Sequence, residues 1–136
     1  MSDTADAVWR EMSTFVIDNK DTWRRAVVER TGLPFSRIRI LRRLVREPLT
    51  VKQIAQAATV DAPAATVAVN DLEERGLVVR EVDPSNRRCK VVSLTEEGRA
   101  MVRVIEGVDD PAPAPLRALD SGDLTALRDL LAKLRD

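Results

Sequence analysis

The sequence contains no histidine, no tyrosine and a single cysteine. Without histidine, the commonest general base and metal ligand is missing. Cys89 alone can form neither an intrachain disulfide nor a zinc site. No glycine-rich phosphate loop is present, and Cys89 falls in an extended stretch with no base beside it, which argues against a nucleophilic enzyme. The carboxylate pairs Glu73-Glu74, Glu96-Glu97 and Asp109-Asp110 are adjacent in sequence, point to different sides of their elements and read as solvated. Aromatic residues make up only 3%, so a core here must be aliphatic. No apolar run approaches the roughly 18 residues of a membrane span. Residues Met1 to Ala7 are acidic and polar, unlike a secretory signal. These absences predict a cytoplasmic, metal-free protein that is not an enzyme and needs no cofactor.

What is present is one domain's worth of ordinary globular sequence, 136 residues with 44% hydrophobic and 32% charged. Formal net charge is zero, yet the charge is uneven. From Pro34 to Ala58 six bases face one acid, a net +5; from Arg80 to Val91 four bases face two acids, a net +2. From Ile105 to Asp136 seven acids face four bases, a net −3. A basic middle between neutral or acidic ends is the distribution a nucleic-acid binder uses.

Apolar side chains at Val8, Met12, Phe15, Val16, Trp23, Ala26 and Val27 recur mostly at steps of three and four, which predicts one long helix over the first thirty residues. Gly32 and Pro34 end it. A second helix over about Phe35 to Arg46 carries Ile38, Leu41, Leu44 and Val45 on one face and arginines on the other. Thr50-Val51-Lys52-Gln53 spells a capping box that opens a short helix to about Ala58. Asp61 caps the next, with Pro63 tolerated in its first turn, and Gly76 ends it after Arg75. Two short helices joined by a tight turn form a helix-turn-helix.

The period then changes. Leu77 to Val82 and Cys89 to Leu94 are alternating and β-branched, separated by a six-residue loop from Asp83 to Arg88, which predicts a β-hairpin. Thr95 caps a helix to about Glu106, with Glu96 and Glu97 in its first turn. Three prolines and two aspartates interrupt the chain between Gly107 and Pro115. Asp120 caps a last helix bearing Leu124, Leu127, Leu130, Leu131 and Leu134. The expected fold is mainly α with a small β-hairpin wing, a winged helix-turn-helix plus a helical dimerisation region. Its expected parts are an N-terminal dimerisation helix (1–33), a winged helix-turn-helix DNA-binding region (34–98) and C-terminal dimerisation helices (99–136). In a winged helix the second helix of the pair enters a major groove while the hairpin reaches the backbone or a minor groove.

At these residues the chain resembles a known family. Leu72-Glu-Glu-Arg-Gly-Leu-Val78, Asp83-Pro-Ser-Asn-Arg-Arg88 and Val92-Ser-Leu-Thr-Glu-Glu-Gly98 look like the signature of the MarR transcriptional regulators. The resemblance implies that these parts are intertwined as one domain, in a homodimer whose first and last helices interlock and present two winged domains to one pseudo-palindromic site on double-stranded DNA. It further implies a repressor released by a small aromatic or anionic ligand. Two departures stand out. Asn86 occupies a wing position where the family usually has aspartate, so no ion pair to Arg88 is available there. Val67 and Asp71 occupy recognition-helix positions that often carry arginine, and from Asp61 to Arg75 four acids face one base.

Phosphate neutralisation is therefore expected from Arg37, Lys52, Arg87, Arg88 and Lys90. Base readout is expected from Thr66 and Asn70, with Ala64 or Val67 against thymine methyls and Asn70 bidentate to adenine. The plainer alternative for Asn70 is a solvated surface residue, as it is for most arginines of the second helix. Relatives that sense peroxide look to carry their cysteine in the first helix, where this chain has Met12, Phe15 and Val16. If a ligand binds, the resemblance places it between the first, second and fifth helices, with Met12, Phe15 and Val16 as apolar walls and Arg43 meeting an anionic group. Core or surface roles are the plainer alternative for all four. Apolar stripes on the terminal helices, too long for a monomer of this size to cover, independently support a dimer. The rival reading is a winged-helix protein-interaction module that no longer binds DNA, a reading the acidic recognition helix keeps open.

Overall fold

Helices begin where short polar side chains accept the first free amides, which sets the element order of the computed structural model. It describes residues 2–135, the side chain of Ser2 excepted; Met1 and Asp136, the ends of the expected terminal regions, lie outside the described residues. The elements are α1 (Ser2–Asp18), α2 (Asp21–Thr31), α3 (Phe35–Leu44), α4 (Val51–Ala58), α5 (Ala62–Glu74), β1 (Val78–Asp83), β2 (Asn86–Leu94), α6 (Glu96–Glu106), α7 (Ala114–Arg117) and α8 (Ser121–Lys133). They fall into two compact units, one of residues 20–109 and one of α1 with the chain beyond residue 109.

Several caps fall where the sequence places them. Thr50 and Gln53 form the reciprocal capping box, each side chain on the other's amide at 3.1 and 2.9 Å. The Asp61 and Asp120 carboxylates each accept from the amide three residues on, at 2.8 Å. Gly76, at φ 76°, takes the left-handed turn after α5 that a side chain would strain. Thr59 adopts the same region at φ 56° in the turn between α4 and α5, an uncommon conformation for a β-branched residue.

Residues 20–109 hold the core, which is aliphatic throughout. Ile38, Leu41 and Leu44 of α3 meet Ile54 of α4, Val69 and Leu72 of α5, and Val102 and Ile105 of α6. Its aromatic edge is Trp23 against Phe35, edge to face with centroids 5.8 Å apart. β1 and β2 pair antiparallel from Val78↔Leu94 to Val82↔Lys90. Leu49, in the connection from α3 to α4, exchanges two backbone hydrogen bonds with Val92, fastening the helix-turn-helix to the wing.

Four expectations need correction. The first thirty residues form two helices, not one. The Asn19 amide side chain donates to the Phe15 carbonyl at 2.7 Å and takes the acceptor that the next helical turn needs. The hairpin loop is a two-residue turn at Pro84-Ser85, with Arg87 and Arg88 inside β2 beside a register shift at Val82/Asp83. Val45 is half exposed past the end of α3, and Ile40 takes the buried place. A short helix, α7, follows the proline segment, with Pro115 in its first turn.

Candidate nucleic-acid interface

The second helix of the helix-turn-helix, α5, buries Ala65, Ala68, Val69 and Leu72, the i, i+3, i+4, i+7 row. At about 100° per residue the opposite row contains Thr66, Val67 and Asn70, all exposed. Val67 is 61% exposed, an apolar side chain left largely uncovered by the described residues. Ala64 is also exposed but flanks that row. The Thr66 hydroxyl donates to the Ala62 carbonyl at 3.0 Å, leaving its oxygen lone pairs outward.

Part of the acidic charge of this helix is paired with arginines. Asp71 presents one carboxylate oxygen to Arg37 Nε at 3.0 Å and the other to Arg75 Nε at 3.1 Å. The hydrogen bond from Arg37, then that from Arg75, holds the Asp71 carboxyl below its ordinary pKa. Asp61 is spent on the cap, and Glu73 lies 3.8 Å from Arg80 Nε. Of the four acids between Asp61 and Arg75, only Glu74 has neither a hydrogen bond nor an ion pair among the described residues. Arginines thus offset two of the four acids, Asp71 and Glu73, while Asp61 and Glu74 keep their charge.

The same contacts redirect two predicted site residues. Arg37 is occupied by Asp71 and donates a further hydrogen bond to the Ser36 hydroxyl, so it is not a free phosphate ligand. Asn70 accepts at Oδ1 from Arg80 Nη2, which uses one of that oxygen's two lone pairs. Bidentate reading of adenine needs acceptor and donor together, so Oδ1 would be shared between Arg80 and the base. Sequence reasoning did not single out Arg80, which lies in β1 beside Glu81 and carries no local signal of its contact with α5.

In the wing, Asp83 Oδ1 accepts from the Ser85 amide at 3.0 Å and the Ser85 hydroxyl at 2.8 Å, so the Asp83 carboxyl too sits below its ordinary pKa. Asn86 Oδ1 accepts from the Arg88 amide at 3.2 Å, so the turn is held without the ion pair that Asn86 lacks. Arg87, Arg88 and Lys90 are exposed on the tip and outer strand, and Lys52 is exposed on α4. Cys89 is half-buried, with Asn86 Nδ2 at 3.5 Å from its sulfur.

The expected ligand residues divide between the two units. Met12, Phe15 and Val16 lie on α1, where Phe15 contributes to an open depression shared with Arg10, Glu11, Thr14, Asp18 and Asn19. Arg43 lies on α3, over Ile40, Ile54, Ala57 and Ala58. A larger apolar depression, about 440 Å³, runs along α7 and α8 between Leu116, Leu124, Leu127 and Leu131, and no sequence signal pointed to it as a cavity. Among the described residues no cluster of three or more metal-ligating side chains occurs, and no helix is long and apolar enough to cross a membrane.

A helix-turn-helix whose second helix turns a polar row outward, braced by a hairpin with a basic tip, is a winged helix-turn-helix. Residues 31–88, from the end of α2 into the wing, match the model of the MarR family. A MarR family protein from Bacillus stearothermophilus matches with a TM-score of 0.76 at 20% identity, over 98% of this chain and 95% of that one. CouR from Rhodococcus jostii, solved with p-coumaroyl-CoA, matches with a TM-score of 0.64 at 26% identity, over 98% and 92%. A MepR variant from S. aureus, solved with an oligodeoxyribonucleotide, matches with a TM-score of 0.59 at 21% identity, over 96% and 94%.

Proposed function

We propose that this protein is a dimeric, cytoplasmic DNA-binding repressor of neighbouring genes, released by a small aromatic or anionic ligand. The observation that carries the reading is the outward row of Thr66, Val67 and Asn70 on α5, set on one body with the basic wing of Arg87, Arg88 and Lys90. A major groove accepts the first, and phosphates accept the second. Pairing of Asp71 with Arg37 and Arg75, and of Glu73 with Arg80, counts against the protein-interaction module, whose main support was an acidic recognition helix. The MepR variant bound to an oligodeoxyribonucleotide and CouR bound to p-coumaroyl-CoA lend the DNA and effector parts of the reading their support by likeness.

In this reading the regions 1–33 and 99–136 pair with a second copy and set two wings on a pseudo-palindromic operator. Val8, Trp9, Val16 and Ile17 of α1 are exposed by 48 to 68%, and α8 buries none of its residues. Such apolar surface is what a partner covers.

Fluorescence anisotropy with the intergenic DNA beside the protein's own gene tests the reading. Saturable binding that a scrambled duplex of equal length fails to reproduce is the expected result. Equal affinity for both duplexes, or no binding at low salt by a folded dimer, would return the module reading to first place.

A further inference from the structure

Arg39, Arg42, Arg43 and Arg46 crowd the solvent face of α3 and the turn that follows it, and among the described residues no carboxylate pairs with any of them. Each has a like charge three and four residues away, a spacing that disfavours the helix. Together they line one shallow depression of about 340 Å³. At about 100° per residue this row lies roughly half a turn round α3 from Arg37, which is bound to Asp71 of the recognition helix. The row therefore faces away from the surface proposed to read DNA. On one flank Arg39 and Arg43 stand over Ala57 and Ala58 at the end of α4. On the other, the Arg42 guanidinium lies 5.1 Å from the Trp23 ring centroid.

We propose that this arginine row is a binding site for a small, multiply charged anion of the phosphate class. Guanidinium groups offer planar forks that match phosphate oxygens two at a time. Four such forks exceed what a single carboxylate satisfies, and they suit a diphosphate or the phosphate end of a larger molecule. Bound anion replaces the missing counter-charge and relieves the repulsion along the helix. The site does not depend on DNA binding, so the two readings fail separately.

The test is a titration of the full chain with inorganic pyrophosphate, followed by Trp23 emission in a Trp9→Phe background. Arg42 stays in place as the group coupling the site to the indole. The expected result is a saturable change with one pyrophosphate per chain, weakened at least tenfold by Arg39→Gln/Arg43→Gln and unchanged by Arg99→Gln on α6. Circular dichroism and the starting emission of the double variant check that its fold is intact. A non-saturating response, or one equal in the double variant and the parent, overturns the proposal. DNA titrations on the same proteins add a second arm. Loss of DNA affinity in the double variant with an unaltered pyrophosphate response would assign the row to the DNA backbone and also overturn it.

Discussion

Asp71 illustrates how one residue changes meaning between sequence and structure. By position it is an acid on a helix proposed to approach phosphate; by contact it is the counter-ion of Arg37 and Arg75. Asp71→Asn removes that counter-charge and releases Arg37. We expect tighter binding to non-specific duplex DNA and a steeper fall of affinity with salt, read by anisotropy across a salt series. Because the folded Asp71 carboxyl titrates below its ordinary value of 3.8, its contribution to stability is present above that value and is lost as pH falls through the lower, folded value. Acid unfolding curves of wild type and Asp71→Asn should therefore differ fully above about pH 4 and converge as pH falls through the lower, folded value. Curves that differ by a constant amount at every pH would contradict the pairing. None of this is legible from residue type, because Arg37 and Asp71 are 34 positions apart. The same holds for Asn70, whose Oδ1 accepts from Arg80 of the next element.

Among the elements, α6 shows why a local pattern is readable. The Thr95 hydroxyl accepts from the Gly98 amide at 3.0 Å and donates to the Gly76 carbonyl at 2.6 Å, so one side chain caps α6 and ties it to the end of α5. Thr95→Val removes both bonds and should lower stability by about 1–2 kcal/mol in urea unfolding. Gly98 has a stricter role, since a Cβ there would sit 2.0 Å from the Leu77 carbonyl oxygen. That oxygen belongs to backbone already bonded to the Thr95 amide, so it cannot easily move away. Gly98→Ala should destabilise by about 1–3 kcal/mol, and unchanged unfolding would contradict this packing. Caps, periods and the glycine after α5 were legible because each is encoded within four or five residues. The break at Asn19 was not, because the apolar spacing continues across it while the amide side chain ends the backbone ladder. The wing's turn was also misread. Pro84-Ser85 alone makes it, and Arg87 and Arg88 are absorbed by the irregular start of β2.

For the whole molecule the fold class was legible and the site only in outline. Arg87, Arg88, Lys90 and the row of Thr66, Val67 and Asn70 are exposed, but Arg87 and Arg88 lie within β2 and not in a loop, and the partners of the row depend on contacts between elements. Assembly is the next scale. Leu127 and Leu131 lie one turn apart on α8, on an apolar depression of about 440 Å³. Leu127→Lys/Leu131→Lys should convert a dimer to a monomer in sedimentation velocity, and a monomeric wild type would remove the basis for two wings on one site. The central claim is that the wing binds DNA by neutralising phosphates, and the slope of log affinity against log salt measures this directly. Each lost phosphate contact reduces the slope by about 0.9. If both wing arginines of both subunits contact phosphate, Arg87→Ala/Arg88→Ala should lower the slope by about 3.6. A variant with weakened binding but an unchanged slope would contradict the account, because its arginines would then be acting through the fold and not through the DNA backbone.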